Sequence, residues 1–159
     1  MRPMYETPSD IINELSVIES LSDLWGVTFH KLPIQYHLDF SISKIDGRII
    51  GFIEVKTRTI AKSKFPTYII SMSKIQMAKS MFDTSKQPTF LVVQWTDAIG
   101  WCRIDSFEEI PPFKIGGRTD RGDEQDIEPV LHIPIHLFRD IKDPPESIVP
   151  RRKRRKMSA

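Results

Sequence analysis

Apolar residues near the N-terminus recur at the spacing of an amphipathic helix. Ile11, Leu15 and Ile18, followed by Leu21 or Trp25, fall on one side of such a helix. The residues before this stripe are typical of a helix start: Thr7 as the cap, Pro8 at the first helical position and Asp10 in the first turn. The pattern predicts a helix from residue 8 to about 24, ended by Gly26.

Two runs with strand character follow and are joined by a short turn. They are Leu38–Ser43 and Ile49–Lys56, and the Asp46-Gly47 pair between them is a strong hairpin signal. A further strand is predicted before them, at 27–32. Side chains alternate between the two faces of a strand, so Glu54 and Lys56 should point to the same face.

The rest of the chain continues a mixed pattern of strands and helices. Helix 73–82 follows a short strand at 68–72, and Ser73 and Gln76 are placed to form a capping box at its start. The other predicted elements are a hairpin of strands 89–94 and 100–104, a loop at 111–128, a strand at 130–135 and a helical turn at 136–141. This order predicts an α/β fold with a mixed sheet flanked by helices.

Length and composition favour one compact intracellular domain. The chain has 159 residues and a 40% hydrophobic share, which suits a single core at residues 1–145. No apolar run approaches the roughly 20 residues of a membrane helix, and no secretory signal is visible. The single cysteine, Cys102, suits a reducing compartment. A cytoplasmic location is therefore expected.

Positive charge is concentrated in two segments. Residues 146–159 are predicted to be a disordered basic tail, able to contact phosphates or else simply solvated. Without that tail the chain is net acidic, yet the stretch 55–82 contains no Asp or Glu. A basic patch in an acidic body suits a phosphodiester substrate, although ordinary surface charge would look the same. The candidate nucleic-acid contacts are Arg58, Lys62, Lys64, Lys74, Gln76, Lys79, Arg151, Arg152, Lys153, Arg154, Arg155 and Lys156.

The predicted hairpin brings three charged residues together. Asp39 on the first strand can lie beside Glu54 and Lys56 on the second, because paired strands are only about 5 Å apart. Buried charges are costly unless they are paired or bind a metal. Two carboxylates with an adjacent lysine therefore indicate a site for a divalent cation.

This constellation resembles the PD-(D/E)XK nuclease superfamily, in which an acid is followed by a spacer and then by (D/E)-X-K. Here Asp39 precedes Glu54-Val55-Lys56 by fourteen intervening residues, and Leu38 replaces the usual proline. The resemblance implies an αβββαβ restriction-endonuclease-like core, similar to small Holliday-junction resolvases and VRR-NUC-like nucleases, which phages also encode. It implies that the expected cytoplasm is that of a bacterium or of a phage-infected host cell. It implies a Mg²⁺ ion, with Mn²⁺ as a substitute, held by Asp39, Glu54 and the Val55 carbonyl, with Lys56 as a catalytic residue.

The resemblance also implies two auxiliary residues. Members often carry a metal-site glutamate on the first helix, and Glu14 on the apolar side is favoured over Glu19 as that catalytic and metal-binding residue. Several branches place a glutamine on the helix after the motif, a role open to Gln76 unless it only caps that helix.

The expected function is metal-dependent hydrolysis of DNA phosphodiester bonds. Structured or branched DNA in recombination, repair or phage DNA processing is the expected substrate, and a homodimer is an expected possibility. The alternative is a non-catalytic nucleic-acid-binding module that retains the nuclease fold. No membrane partner and no small-molecule cofactor are expected.

Overall fold

The computed structural model describes residues 8–33, 38–107, 113–117 and 127–150, with the backbone alone at 8–11, 113–117 and 127. Two helices, α1 (Pro8–Trp25) and α2 (Met72–Ser85), accompany nine strands. The strands are β1 (Thr28–Lys31), β2 (Phe40–Ser43), β3 (Ile49–Thr57), β4 (Thr67–Ser71), β5 (Thr89–Gln94), β6 (Ile99–Arg103), β7 (Phe113–Gly117), β8 (Ile127–Pro134) and β9 (Arg139–Asp140). Short 3-10 helices lie at Lys62–Lys64 and Ile135–Leu137.

Six strands form the central sheet in the order β1-β2-β3-β5-β6-β9. The pair β3–β5 is parallel, and the other neighbours are antiparallel. The parallel step requires a crossover, which β4 and α2 provide between β3 and β5. The predicted αβββαβ core with a mixed sheet flanked by helices is confirmed, and both predicted hairpins are present.

Local sequence chemistry explains the β2–β3 hairpin. Gly47 has a φ of +85°, a conformation that a side chain disfavours, and its amide donates to the Lys44 carbonyl. Farther along β3, a Cβ added at Gly51 would lie 3.1 Å from the Pro88 carbonyl oxygen. The absence of a side chain at Gly51 therefore allows the segment before β5 to approach β3 closely.

Hydrophobic side chains fill both faces of the central sheet. Alternation along β5 sends Phe90 and Val92 to the face covered by α1, and Leu91 and Val93 to the face covered by α2 and a second sheet. Glu54 is paired with Leu91, in the middle of this apolar sheet. The carboxylate is therefore positioned by strands with large apolar contacts on both faces, which is how a fold can hold a charged group rigidly.

The second sheet, in the order β4-β8-β7, corrects the predicted loop at 111–128. Residues 113–117 pair with 127–131 of β8 as an antiparallel strand, so the loop prediction was wrong there. The Gly and Pro residues of the stretch 111–128 suggested a loop, but pairing with β8 satisfies the backbone groups of residues 113–117. Residues 108–112 and 118–126 lie outside the described part of the chain.

Several predicted details of the elements were also wrong. On α1, Leu15 is 47% exposed, whereas Val17 joins Ile18, Leu21 and Trp25 in the core. The second helix starts one residue earlier than predicted. Its cap is Ser71, whose hydroxyl accepts from the Ser73 amide at 3.2 Å, so the capping box of Ser73 with Gln76 does not form. The predicted cap Thr7 lies outside the described residues.

The C-terminal end of the described chain packs on the core. Ile148 and Val149 are buried with the α1 side of the sheet, so the folded body extends past residue 145. The tail beyond residue 150, including the basic residues 151–156, lies outside the described residues, and its disorder stays a prediction. Among the described helices, none is long and apolar enough to cross a membrane.

Candidate active site

Glu54 lies at a position that is unfavourable for a charged side chain. Its side chain is 1% exposed to solvent and lies on β3, between β2 and β5. An ionised carboxylate there loses its hydration, and only nearby cations or hydrogen-bond donors can compensate for that loss. The groups around Glu54 therefore reveal what this part of the fold is arranged to hold.

Two ammonium groups approach the same oxygen of Glu54. The Nζ atom of Lys56 lies 3.2 Å from Glu54 Oε1, and the Nζ atom of Lys74 on α2 lies 3.0 Å from it. Both are ion-pair distances, but the angles fall outside hydrogen-bond geometry. Within the described ranges, neither Glu54 oxygen has a hydrogen-bond partner. The two ammonium groups thus balance the negative charge of Glu54, while its Oε2 atom can still accept a hydrogen bond or bind a cation.

Asp39 joins the site through the backbone of the neighbouring strand. Its Oδ2 atom accepts a hydrogen bond of 2.7 Å from the Val55 amide, and its own amide donates to the Ile53 carbonyl. Burial raises the pKa of Asp39 from 3.8 to about 7, and the nearby negative charges of Glu54 and Glu14 add to the increase. The carboxylate is held firmly in a place where its charge is unfavourable.

Glu14 and Lys31 form the outer part of the site. Glu14 Oε2 lies 2.9 Å from Lys31 Nζ, and the same ammonium lies 3.9 Å from Asp39 Oδ1. The prediction placed Glu14 at the site, but it missed Lys31 and expected Lys74 to contact DNA rather than Glu54. The available signal for Lys31 was its position at the end of the strand beside β2, where it pairs with Phe40, the residue after Asp39.

In the same surroundings Lys56 keeps its charge, whereas Asp39 is driven towards its neutral form. Burial lowers the pKa of the Lys56 ammonium, but Glu54 and Asp39 raise it, and the net pKa lies above its ordinary value. The ammonium therefore stays protonated at neutral pH. It can donate to an anion at the site, while its side chain remains 40% exposed and open to a substrate.

The carboxylates fit a divalent cation by chemistry but are not gathered into a ligand set. Among the described residues, no three Asp, Glu, His or Cys side chains are close enough to hold a metal. Instead, the Lys31 ammonium pairs with Glu14 and Asp39, and the Lys56 and Lys74 ammonium groups pair with Glu54. The Glu54 oxygens have no hydrogen-bond partner, and the pKa of Asp39 is raised to about 7. Both features suit a site where a divalent cation compensates the carboxylates more strongly than the ammonium groups do. The metal role of the Val55 carbonyl stays a prediction.

The predicted nucleic-acid contacts are placed in different ways. Arg58 donates to the Tyr68 hydroxyl at 2.7 Å and stacks on its ring, and Lys62 donates to the Phe138 carbonyl at 3.4 Å. These contacts give both side chains structural partners. The remaining predicted contacts outside the tail, Lys64, Gln76 and Lys79, are exposed.

Asp39→Asn should stabilise the metal-free protein at alkaline pH. The folded-state pKa of Asp39 lies above its unfolded value, so the wild type loses stability as the pH rises from about 4 through 7. Removing the charge should raise the unfolding free energy by on the order of 2–4 kcal/mol at pH 8 and hardly at pH 4. Urea unfolding in EDTA measures this difference.

Asp83→Asn, which alters an exposed carboxylate on α2, is the matched control and should show no comparable pH-dependent gain. A loss of stability in Asp39→Asn at pH 8 would show that the Asp39 charge is favourable in the folded state, contrary to this account.

Comparisons with known proteins identify a family and a similar fold. The sequence matches the family described as "Phage putative PDDEXK endonuclease" over residues 1–141. No curated protein matches it. Among solved structures, the fold is similar to that of Hjc from Archaeoglobus fulgidus, a Holliday junction resolvase from an archaeal hyperthermophile. The TM-score is 0.52 at 13% identity, covering 81% of this chain and 96% of that chain. The family match includes the whole Asp39–Lys56 motif, and the chain belongs to the phage PDDEXK endonuclease family.

Proposed function

We propose that this protein is a divalent-metal-dependent endonuclease that hydrolyses DNA phosphodiester bonds. The observation that carries the proposal is Glu54, a fully buried carboxylate with unused acceptor capacity beside Asp39 and Lys56. A purely structural role would favour an apolar residue at this position in the sheet, because a buried ion pair rarely stabilises more than a hydrophobic side chain of similar volume.

The carboxylates of Asp39 and Glu54 would hold Mg²⁺, or Mn²⁺ in its place, with the Val55 carbonyl and Glu14 as further oxygen ligands. When bound, such an ion supplies an activated water and neutralises charge on the phosphate. The Val55 amide fixes the direction of the Asp39 carboxylate through its 2.7 Å hydrogen bond. The burial of Glu54 excludes competing water from its oxygens.

Lys56 is the residue proposed to act on the scissile phosphate. Its ammonium is protonated, partly exposed and beside the carboxylates, so it can donate to a phosphate oxygen as negative charge develops there. Lys74 faces the same Glu54 oxygen from α2 and is 25% exposed. It is placed to move from the carboxylate to the incoming substrate.

The proposed substrate is structured or branched DNA in recombination, repair or phage DNA processing. The resolvase named above acts on Holliday junctions according to its description, and its fold matches most of this chain. A homodimer would present two such sites to one junction. Lys64, Gln76 and Lys79 on the exposed surface, together with the basic residues 151–156, are the proposed backbone contacts.

Glu54→Gln should abolish cleavage while preserving the shape of the side chain. A labelled panel of duplex, single strand, flap and four-way junction is incubated with the protein and Mg²⁺ or Mn²⁺, and products are resolved on a denaturing gel. We expect metal-dependent cutting by the wild type, strongest on a branched member, and a loss of at least about a hundredfold in the variant.

Two controls separate chemistry from binding. The exposed Glu19→Gln should cut like the wild type, and Glu54→Gln should still bind the preferred DNA in EDTA. Binding by the wild type without cleavage of any panel member would support the alternative of a non-catalytic nucleic-acid-binding module.

Lys74→Met should increase the rise in Tm that added metal produces. The ammonium of Lys74 compensates the Glu54 charge without metal, so its removal should destabilise the metal-free fold by about 1–3 kcal/mol. A bound cation would restore the lost compensation. Thermal unfolding in EDTA and in excess Mn²⁺ should therefore show a larger metal-induced rise in Tm for the variant than for the wild type.

The control for this comparison is Lys79→Met, which removes an exposed ammonium from the same helix. Its Tm rise should equal that of the wild type. Equal rises in all three proteins would mean that Lys74 and the metal do not share Glu54.

A further inference from the structure

A second basic site lies at the opposite end of β3 from the carboxylates. A cavity of about 510 Å³ opens where β3 begins and α2 ends. Its lining includes Ile49, Phe82 and Pro88, and every charged side chain among the described residues that line it is a cation: Arg48, Lys86 and Arg103. From Ile49 to Glu54 a strand extends about 16 Å, so this cavity is separate from the active site.

Arg103 is held in place by Asp105 and Phe82. The buried Asp105 carboxylate accepts from Nε and Nη2 of Arg103 at 2.8–3.1 Å and from the Thr89 amide at 2.8 Å. The guanidinium also lies 5.4 Å from the centre of the Phe82 ring. Asp105 leaves the Nη1 group of Arg103 for another acceptor, so one donor at the cavity is pre-organised.

Arg48 and Lys86 supply positive charge that is not neutralised. Neither forms an ion pair within the described ranges, whereas Lys31, Lys56 and Lys74 at the active site all do. Two unpaired cations beside a fixed arginine form a local positive potential, although the chain without its tail is net acidic.

The backbone at Lys86 adopts a conformation that disfavours a side chain. Lys86 ends α2 with a φ of +60°, and it is the one non-glycine residue with positive φ in the described part of the chain. Glycine is the favoured residue at such a helix end, since a Cβ is strained there. A lysine at this position gains some stabilisation from the helix dipole, but Lys86 also lines the cavity with Arg48 and Arg103.

We propose that Arg48, Lys86 and Arg103 form a binding site for a backbone phosphate of the DNA substrate, distant from the scissile bond. This inference rests on the proposed nuclease function and extends it to the footprint of the DNA. Arginine and lysine donors converging on a cavity suit a phosphate group, and a distant contact of this kind fixes the orientation of a duplex without reading its sequence.

Lys86→Gly tests the site without threatening the fold. The substitution removes the ammonium and relieves the strained backbone, so the Tm should equal or exceed that of the wild type. Affinity for a labelled duplex of about 20 base pairs, longer than the about 16 Å between the sites, is measured by anisotropy in EDTA. We expect about three- to tenfold weaker binding and a salt dependence reduced by about one ion.

Arg48→Gln should weaken binding similarly, whereas Lys142→Gln, at an exposed turn lysine outside the cavity, should not. Wild-type DNA affinity and salt dependence in both Lys86→Gly and Arg48→Gln would overturn the proposal. A mononucleotide, dAMP, separates the two sources of phosphate. If Lys86→Gly abolished a dAMP-induced Tm shift but left DNA affinity intact, the cavity would bind free nucleotide and the assignment to DNA would be wrong. DNA binding is measured in EDTA, where no cleavage is expected. The result of this test is therefore independent of the cleavage assay that tests the nuclease proposal.

Discussion

The burial of the Glu54 carboxylate in the middle of the central sheet is the constraint on which the site depends. Strands on both sides and hydrophobic side chains above and below exclude water from it. The surrounding charges follow from that position. Lys56 and Lys74 approach the same oxygen. Burial, together with the nearby Glu54 charge, raises the pKa of Asp39 to about 7. A fold selected for stability alone would place an apolar residue here, so this arrangement is best explained by function.

The ammonium groups give the metal-free site a definite state. Lys31 lies beside Glu14 and Asp39, and Lys74 lies beside Glu54. Three elements therefore meet at the carboxylates through ion pairs: the first helix, the first strand and the helix of the crossover. Because the same oxygens would be the ligands of the proposed divalent cation, binding of metal and release of the lysines would be coupled. The released lysines would then lie where a phosphate arrives.

The parts of the fold that were predictable are those with local signals. The Asp46-Gly47 turn and the alternation along Ile49–Thr57 define the central hairpin within eighteen residues, 40–57, and place Asp39 beside Glu54. Strand β7 had no such signal. Its Gly-rich sequence suggested a loop, and only pairing with β8 makes it a strand. The buried face of α1 was partly misjudged because Leu15 and Val17 fit a helical stripe about equally well, and the direction of the sheet decides between them.

The candidate site likewise combines residues with a local sequence signal and residues placed only by tertiary packing. Asp39, Glu54 and Lys56 follow from one hairpin and one motif, whereas Lys31 and Lys74 enter through tertiary packing of β1 and α2. A lysine in a strand has many possible partners, so no spacing rule could assign it to Glu14. The basic cavity was also hidden, since Arg48, Lys86 and Arg103 are far apart in sequence and converge only in the folded chain.

The most direct test of the central claim is a crystal structure of the protein grown with Mn²⁺, with anomalous data collected to locate the ion. This account predicts an anomalous peak within about 2.0–2.6 Å of oxygens from both Asp39 and Glu54, with the Lys74 ammonium displaced from Glu54. Well-ordered Asp39 and Glu54 with no peak between them in saturating Mn²⁺, and Lys74 still about 3.0 Å from Glu54 Oε1 as in the metal-free fold, would contradict it.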